Sequence, residues 1–113
     1  MKKCLIILNR YKEEAVLISK DIEDFLKKKN IESISLFFEK DTKGFSLEGI
    51  SFVITLGGDG TVLYAARIAC KHQIPVFPIN LGQFGFIAGI DPQKWQEPLT
   101  QFIENKFDFV GLV

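Results

Sequence analysis

Residues 51–71 read SFVITLGGDGTVLYAARIACK, an apolar run that passes through a glycine-rich loop into a second apolar pattern. The side chains of residues 51–56 are mostly apolar and do not alternate with polar ones, which is typical of a strand covered on both faces. Over residues 61–71 the apolar side chains recur at the spacing of a helix that packs on a sheet. This stretch therefore predicts a buried strand, a glycine loop and a helix.

Strand-like and helix-like patterns alternate on both sides of this unit. Before it, the sequence predicts a strand over residues 3–8, a helix over 12–30 and a strand over 34–38; after it, a strand over 75–79 and a helix from 91 onward. Elements that alternate in this way form a parallel sheet with right-handed crossovers. We therefore expect an α/β fold with a parallel, Rossmann-like sheet and helices on both faces.

Three prolines set further expectations. Pro78 cannot donate a hydrogen bond within a sheet, which favours an edge strand. Asp91 followed by Pro92 is a good helix start, with an N-cap and a proline at the first helical position. Pro98 lies inside the same helical pattern, so we expect it to kink or split that helix.

The composition limits the classes of function. A chain of 113 residues is one domain by length, and 47% hydrophobic residues suffice for a core. The 14 basic and 14 acidic residues cancel, so we expect neither nucleic-acid binding nor a basic membrane patch. Two cysteines without a close partner, and the absence of a signal-peptide pattern, favour reduced thiols and a cytoplasmic location.

The loop Gly57-Gly58-Asp59-Gly60 carries the clearest chemical signal. Glycines after a buried strand let the backbone turn sharply and bring N–H groups close to a ligand. The N-terminus of the next helix adds partial positive charge, and together these features form a phosphate cradle. From the glycines alone, a tight turn without a ligand is an equal alternative.

Asp59 favours the chemical alternative. A carboxylate at this place could cap the helix, a common structural role. In a phosphate site, however, it would repel the phosphate unless it had a task there. It could take a proton from an attacking hydroxyl, or act through a divalent cation.

Two well-known phosphate-binding motifs do not match this loop. The P-loop needs a lysine and then a serine or threonine after its last glycine, where this chain has Thr61-Val62. The dinucleotide fingerprint needs a third glycine at Leu63, and an acidic residue about twenty positions later, where Ile79-Asn80 stand.

A second glycine loop follows the strand predicted over residues 75–79. It reads Asn80-Leu81-Gly82-Gln83-Phe84-Gly85-Phe86. Ligands of parallel sheets bind beyond the carboxyl ends of the strands. Because both glycine loops fall at that edge, we expect them to share one site.

The two loops together resemble those of the NAD kinase family. The resemblance is carried by residues 56–63, LGGDGTVL, and residues 79–86, INLGQFGF, with Ala65-Ala66-Arg67 between them. The first motif is shared with diacylglycerol and sphingosine lipid kinases, whereas the pair at this separation is more specific. The resemblance covers the whole chain but only the N-terminal part of the family's length.

The resemblance implies an activity and a site. ATP or inorganic polyphosphate, with a divalent cation (Mg2+), would phosphorylate the 2′-hydroxyl of the adenosine ribose of NAD to give NADP. Asp59 matches the catalytic aspartate that deprotonates this hydroxyl, and no metal-ligating cluster is expected in the chain itself. The substrate-binding positions implied are Gly58, Gly60, Leu63, Tyr64, Phe84 and Phe86. Phe86 is equally compatible with core packing, and Tyr64, Leu81 and Gln83 depart from residues that are frequent in the family.

The resemblance also implies a domain division. We expect residues 1–106 to form the α/β nucleotide-handling domain and residues 107–113 to begin a second, β-rich domain. The whole protein would then be a two-domain kinase and a homo-oligomer, and the 113-residue chain alone would be inactive or nearly so. A lipid or other small-molecule kinase and a non-catalytic nucleotide-binding module are the alternatives.

Overall fold

The structure is a computed structural model that describes residues 2–9, 11–38, 46–81 and 89–104. Its elements in chain order are β1 (Lys2–Asn9), α1 (Glu13–Lys28), β2 (Ile31–Phe38), β3 (Phe52–Gly57), α2 (Asp59–Cys70), β4 (Val76–Asn80) and α3 (Gln96–Glu104). The four strands form one sheet in the order β2-β1-β3-β4, and every pair is parallel. The predicted parallel α/β fold is confirmed.

Helices cover both faces of this sheet. On one face, α1 and α3 pack on side chains that alternate along the strands: Cys4, Ile6 and Leu8 of β1 with Phe52, Ile54 and Leu56 of β3. On the other face, α2 packs on the intervening side chains, Leu5, Ile7, Val53 and Val76. Because successive side chains of a strand point to opposite faces, two apolar layers require continuous apolar runs in the central strands.

The burial of each strand follows its place in the sheet. All six residues of β3 are buried, whereas most residues of β2 are partly or fully exposed. β3 has a strand on either side and a helix layer on each face. β2 lies at one edge of the described sheet, where one side has no neighbouring strand.

Pro78 lies in β4, the outermost strand on the other side, as predicted. Its carbonyl accepts a hydrogen bond of 2.7 Å from the N–H of Ile90, and Asn80 N–H donates to the Ile90 carbonyl at 3.0 Å. The N–H and C=O of a strand residue point to the same side of the strand. The donor that Pro78 lacks is therefore missing on the outer side of β4, not on the side of β3.

The prediction of a helix that starts at Asp91 is wrong. The Asp91 carboxylate accepts from Gln93 N–H at 2.9 Å, and its carbonyl accepts from Lys94 N–H at 3.0 Å, which makes a turn. α3 begins only at Gln96, so Pro98 is its third residue. The first turn of a helix has no internal partner for its N–H groups, so Pro98 neither kinks nor splits α3.

Some expectations lie outside the described residues. These are the domain boundary at residues 106 and 107 and the start of a β-rich domain over residues 107–113. Among the described helices, none combines the length and apolar character needed to cross a membrane.

Candidate functional site

The junction between β3 and α2 is one residue long. β3 ends at Gly57 and α2 begins at Asp59, with Gly58 between them as the N-cap. Gly58 has an extended backbone, with φ −94° and ψ −163°. Among the described glycines, a positive φ occurs at Gly49 alone, so the loop conformation itself does not require glycine.

The space around the loop gives a better reason for its glycines. A β-carbon on Gly57 would lie 2.5 Å from Thr61 Oγ1, which is far inside a normal contact. A β-carbon on Gly58 or Gly60 would meet no atom of the described residues within 4 Å. Gly57 is thus needed for packing inside the chain, whereas Gly58 and Gly60 leave open space beside the start of α2.

The start of α2 presents backbone donors to this space. The first N–H groups of a helix have no partner inside it. Here the N-cap is a glycine, and no side chain of the described residues caps this end. The helix dipole adds partial positive charge at the same place, so the geometry favours an anionic group of a ligand.

Asp59 is the first residue of α2 and is partly exposed. It is not the N-cap, because Gly58 occupies that position. Its carboxylate is not sealed within the core. An acid placed in this way is able to reach a ligand held over Gly58 and Gly60.

The strand register brings two asparagines to the two sides of this loop. Leu8 of β1 pairs with Leu56 of β3, which puts Asn9 next to Gly57 at the ends of the two strands. Gly57 in turn pairs with Asn80 of β4. A β-carbon on Gly57 would lie 3.5 Å from the Cβ of Asn9. The carboxyl edge of the sheet therefore carries an ordered row, Asn9–Gly57–Asn80.

The position of Asn80 in this row bears on the prediction that the two glycine loops lie at the same edge of the sheet. The second loop begins at Asn80, and Leu81 N–H donates to the Gly57 carbonyl at 2.9 Å. The two loops therefore start at the same edge, as expected. Residues 82–88 lie outside the described residues, and with them the predicted site residues Phe84 and Phe86, as well as Gln83.

The remaining predicted residues line a groove on one side of α2. Leu63 is 54% exposed, and the Tyr64 ring packs against Phe38 with 5.2 Å between ring centroids. Both side chains, with Gly60, Phe38 and Arg67, line an open cavity of about 350 Å³. The structure thus brings Gly60, Leu63 and Tyr64 together, while the Tyr64 ring also contributes to packing beside β2.

The prediction of site residues omitted Asn9 and Thr61. Thr61 is buried in the first turn of α2 and contacts the position that a Gly57 β-carbon would take. Asn9 is separated from the loop by almost fifty residues of sequence, so its place depends on the order of the strands. The sequence feature that could have pointed to Asn9 is its position as a polar residue at the end of an apolar strand.

Other polar features of this region are limited. Thr55 lies two residues before Gly57 on the same face of β3, and its buried hydroxyl has no hydrogen-bond partner among the described residues. In residues 2–9, 11–38, 46–81 and 89–104, no three His, Cys, Asp or Glu side chains form a group that could hold a metal ion.

Known proteins are similar to this chain over almost its whole length. The profile of the ATP-NAD kinase N-terminal domain matches residues 32–107. The NAD kinase of Treponema denticola is 46% identical over 107 residues, which is 94% of this chain and 38% of that protein. The NAD kinase of Treponema pallidum strain Nichols is 37% identical over 102 residues, 89% of this chain and 33% of that protein.

A bifunctional enzyme is also among the similar proteins. The bifunctional NADP phosphatase/NAD kinase of Methanocaldococcus jannaschii is 37% identical over 106 residues, which is 91% of this chain and 18% of that protein. The chain thus spans less than two-fifths of the length of each of these three relatives.

Proposed function

The chain belongs to the ATP-NAD kinase family, and from this premise we propose that the whole protein is an NAD kinase. It transfers a phosphoryl group from ATP or inorganic polyphosphate to the 2′-hydroxyl of the adenosine ribose of NAD, giving NADP. The observation that carries the proposal is the partly exposed carboxylate of Asp59, beside two glycines that leave open space.

Asp59 acts as the general base. It accepts the proton of the ribose 2′-hydroxyl while the hydroxyl oxygen attacks the terminal phosphorus of the donor. The bond from that phosphorus to its bridging oxygen breaks, and ADP or a shortened polyphosphate leaves. Proton transfer to a positioned base typically contributes about a hundred- to ten-thousand-fold to the rate.

The loop and the helix orient the phosphates. The space over Gly58 and Gly60 admits the reacting groups close to the backbone. The first N–H groups of α2 donate to phosphate oxygens, where the helix dipole favours negative charge. Leu63 and Tyr64 offer an apolar wall one turn further along α2, which suits a nucleotide base better than a phosphate.

A magnesium ion fits this arrangement as a companion of the donor. Mg2+ is usually held by one or two carboxylates together with substrate phosphates. Here the phosphates of the donor would hold the ion, because the described residues contain no group of metal-ligating side chains and Asp59 acts as the base. When bound, the ion neutralises charge on the transferring phosphoryl group.

Asp59→Asn in the full-length protein tests the proposal. The amide keeps the size of the side chain but cannot accept the proton, so NADP formation should fall about a hundred- to ten-thousand-fold. Circular dichroism and thermal unfolding should match those of the wild type. Glu97→Gln is the matched control, because Glu97 is also an acid in the first turn of a helix, α3, and this variant should keep full activity.

The substrate is tested with the same protein. NAD and a diacylglycerol are offered separately with ATP, and product formation from NAD alone supports the proposal. Phosphorylation of the diacylglycerol would instead identify a lipid kinase. Stoichiometric binding of NAD or ATP without turnover by the full-length protein would identify a non-catalytic nucleotide-binding module.

The cellular setting is part of the proposal. We place the enzyme in the cytoplasm, supported by two free cysteines, Cys4 and Cys70, which fit a reducing compartment. We further expect a homo-oligomer of the full-length protein, as the family resemblance implies.

A further inference from the structure

Asn9 stands at the end of β1, beside the loop that carries Asp59. The register places it next to Gly57, with its Cβ 3.5 Å from where a Gly57 side chain would begin. It is partly exposed.

A backbone contact fixes which end of the Asn9 amide is available. Tyr11 N–H donates to Asn9 Oδ1 at 3.0 Å, which forms a turn between β1 and α1. The amide atom that accepts from Tyr11 is therefore the oxygen, Oδ1, and the atom on the opposite side of the amide is the nitrogen, Nδ2. Among the described residues, the Nδ2 group makes no hydrogen bond. The side chain thus keeps two N–H donors at the carboxyl edge of the sheet.

The charge of the site makes a neutral donor useful there. The loop from Gly57 to Tyr64 contains one acid, Asp59, and no basic residue. A lysine or arginine in the place of Asn9 would bring a positive charge to the loop that carries Asp59, and a positive charge nearby weakens a carboxylate as a base. An amide N–H donates to a phosphate oxygen without carrying a full positive charge, and so it does not neutralise the carboxylate. The backbone N–H groups of α2 share this property.

We propose that Asn9 is a phosphate-binding residue, whose Nδ2 donates a hydrogen bond to an oligophosphate held over Gly58 and Gly60. This proposal rests on the proposed function and deepens it. Phosphate oxygens would then accept hydrogen bonds from two sides of Gly57, from the first N–H groups of α2 and from the Asn9 side chain. The oligophosphate is either the chain of the phosphoryl donor or the pyrophosphate of NAD.

Asn9→Asp in the full-length protein separates this role from a structural one. Aspartate accepts from the Tyr11 N–H as well as asparagine does, so the turn and the melting temperature should be unchanged. It cannot donate, and it repels phosphate. The affinity for inorganic tripolyphosphate, measured by calorimetry, should therefore fall about 10- to 100-fold. If Asn9 only forms the turn, the variant will bind tripolyphosphate like the wild type, and the proposal is overturned.

Two further variants complete the design. Gln101→Glu makes the same change from amide to carboxylate on the exposed side of α3, on the opposite face of the sheet, and should bind like the wild type. Asn9→Ala removes the donor without adding charge and should weaken binding by about tenfold. If Asn9→Asp were to unfold, normal binding by folded Asn9→Ala would overturn the proposal.

Separate measurements identify the source of the oligophosphate and test the proposed function. A rise in KM for ATP alone assigns the contact to the donor, and a rise in KM for NAD alone assigns it to the NAD pyrophosphate. If the wild-type protein does not phosphorylate NAD, the proposed function fails. The calorimetric comparison with tripolyphosphate still decides whether Asn9 contacts a phosphate.

Discussion

Gly57 and Gly58 are neighbours in one loop, yet their lack of a side chain has different consequences. At Gly57 a β-carbon would press on the Thr61 hydroxyl, which belongs to a buried side chain in the first turn of α2. At Gly58 the same atom would extend into open space. One glycine therefore maintains the junction between strand and helix, and the other keeps room for a ligand.

We expect Gly57→Ala and Gly58→Ala to fail in different assays. Gly57→Ala should lower the free energy of unfolding by about 1–3 kcal/mol, because a buried contact becomes too short. Gly58→Ala should leave the unfolding free energy within about 0.5 kcal/mol, since its φ suits alanine, but it should weaken ATP binding. Urea unfolding and calorimetry measure the two quantities. Equal stability of both variants would contradict this distinction.

The two cysteines differ in their surroundings. Burial raises the pKa of the Cys4 thiol well above its ordinary value, and a hydrogen bond with the Ile54 backbone offsets this only in part. In the unfolded chain the thiol ionises at about pH 8.5. Above that pH the unfolded state loses a proton that the folded state keeps. The free energy of unfolding is therefore unaffected by this thiol below about pH 8.5 and falls as the pH rises further.

This difference predicts a pH-dependent loss of stability that one substitution removes. Above about pH 8.5 the free energy of unfolding should decline by up to about 1.4 kcal/mol per pH unit through Cys4. Cys4→Ala should lack this part of the decline, whereas Cys70→Ala should retain it, because Cys70 is exposed. Urea unfolding of the three proteins between pH 7 and 10 provides the comparison. Identical slopes for Cys4→Ala and the wild type would refute the assignment.

At the scale of the elements, β3 and α2 were predictable because their patterns are local. Continuous apolar residues identify a central strand, and β3 is buried throughout. The start of α3 was not predictable in the same way. Asp91 and Pro92 suit a helix start, but the Asp91 side chain closes a turn with Gln93. Trp95, which packs edge-on against Phe25 of α1 at 5.3 Å, precedes the helix, and this contact depends on the tertiary structure.

Pro98 illustrates how position within an element decides the effect of a residue. Pro98→Ala should change the free energy of unfolding by less than about 1 kcal/mol, since no helical hydrogen bond is gained at the third residue of α3. Thr100→Pro should cost about 3 kcal/mol or more, because it removes an internal hydrogen bond and introduces a clash with the preceding turn. Thermal unfolding measures both. A large stabilisation by Pro98→Ala would show that the proline strains the helix.

The candidate site was predictable only in part, because the arrangement of the strands decides which residues reach it. The glycine loop with Asp59 is contiguous in sequence, so its place at a strand end followed from the pattern alone. Asn9 reaches the loop only because β1 lies directly beside β3 in the sheet. Strand order is a property of the packed layers, and neither periodicity nor composition specifies it.

At the scale of the whole molecule, the site has an open side. Gly58 and Gly60 face space that no described residue fills, and the chain spans 38% of the length of the Treponema denticola relative. We expect that two substrates are oriented only when further residues of the full-length protein close this side. Orientation supplies much of the rate enhancement of such reactions.

The 113-residue chain by itself should therefore bind tripolyphosphate weakly and form little or no NADP. The full-length protein, assayed at the same molar concentration with ATP and NAD, should turn over at an ordinary kinase rate. NADP formation is followed through a coupled dehydrogenase. Comparable turnover by the short chain would mean that this chain already holds both substrates. The expectation that further residues of the full-length protein must close the site would then be wrong.

The position of β1 also bears on how the protein emerges from the ribosome. β1 pairs with β2 on one side and with β3 on the other, so the β1-α1-β2 unit is available for folding before β3 has been synthesised. During that interval the apolar β1 has one unpaired edge in a nascent chain. Synthesis proceeds at about 5–20 residues per second, so we expect this edge of β1 to remain unpaired until β3 has followed it out of the ribosome.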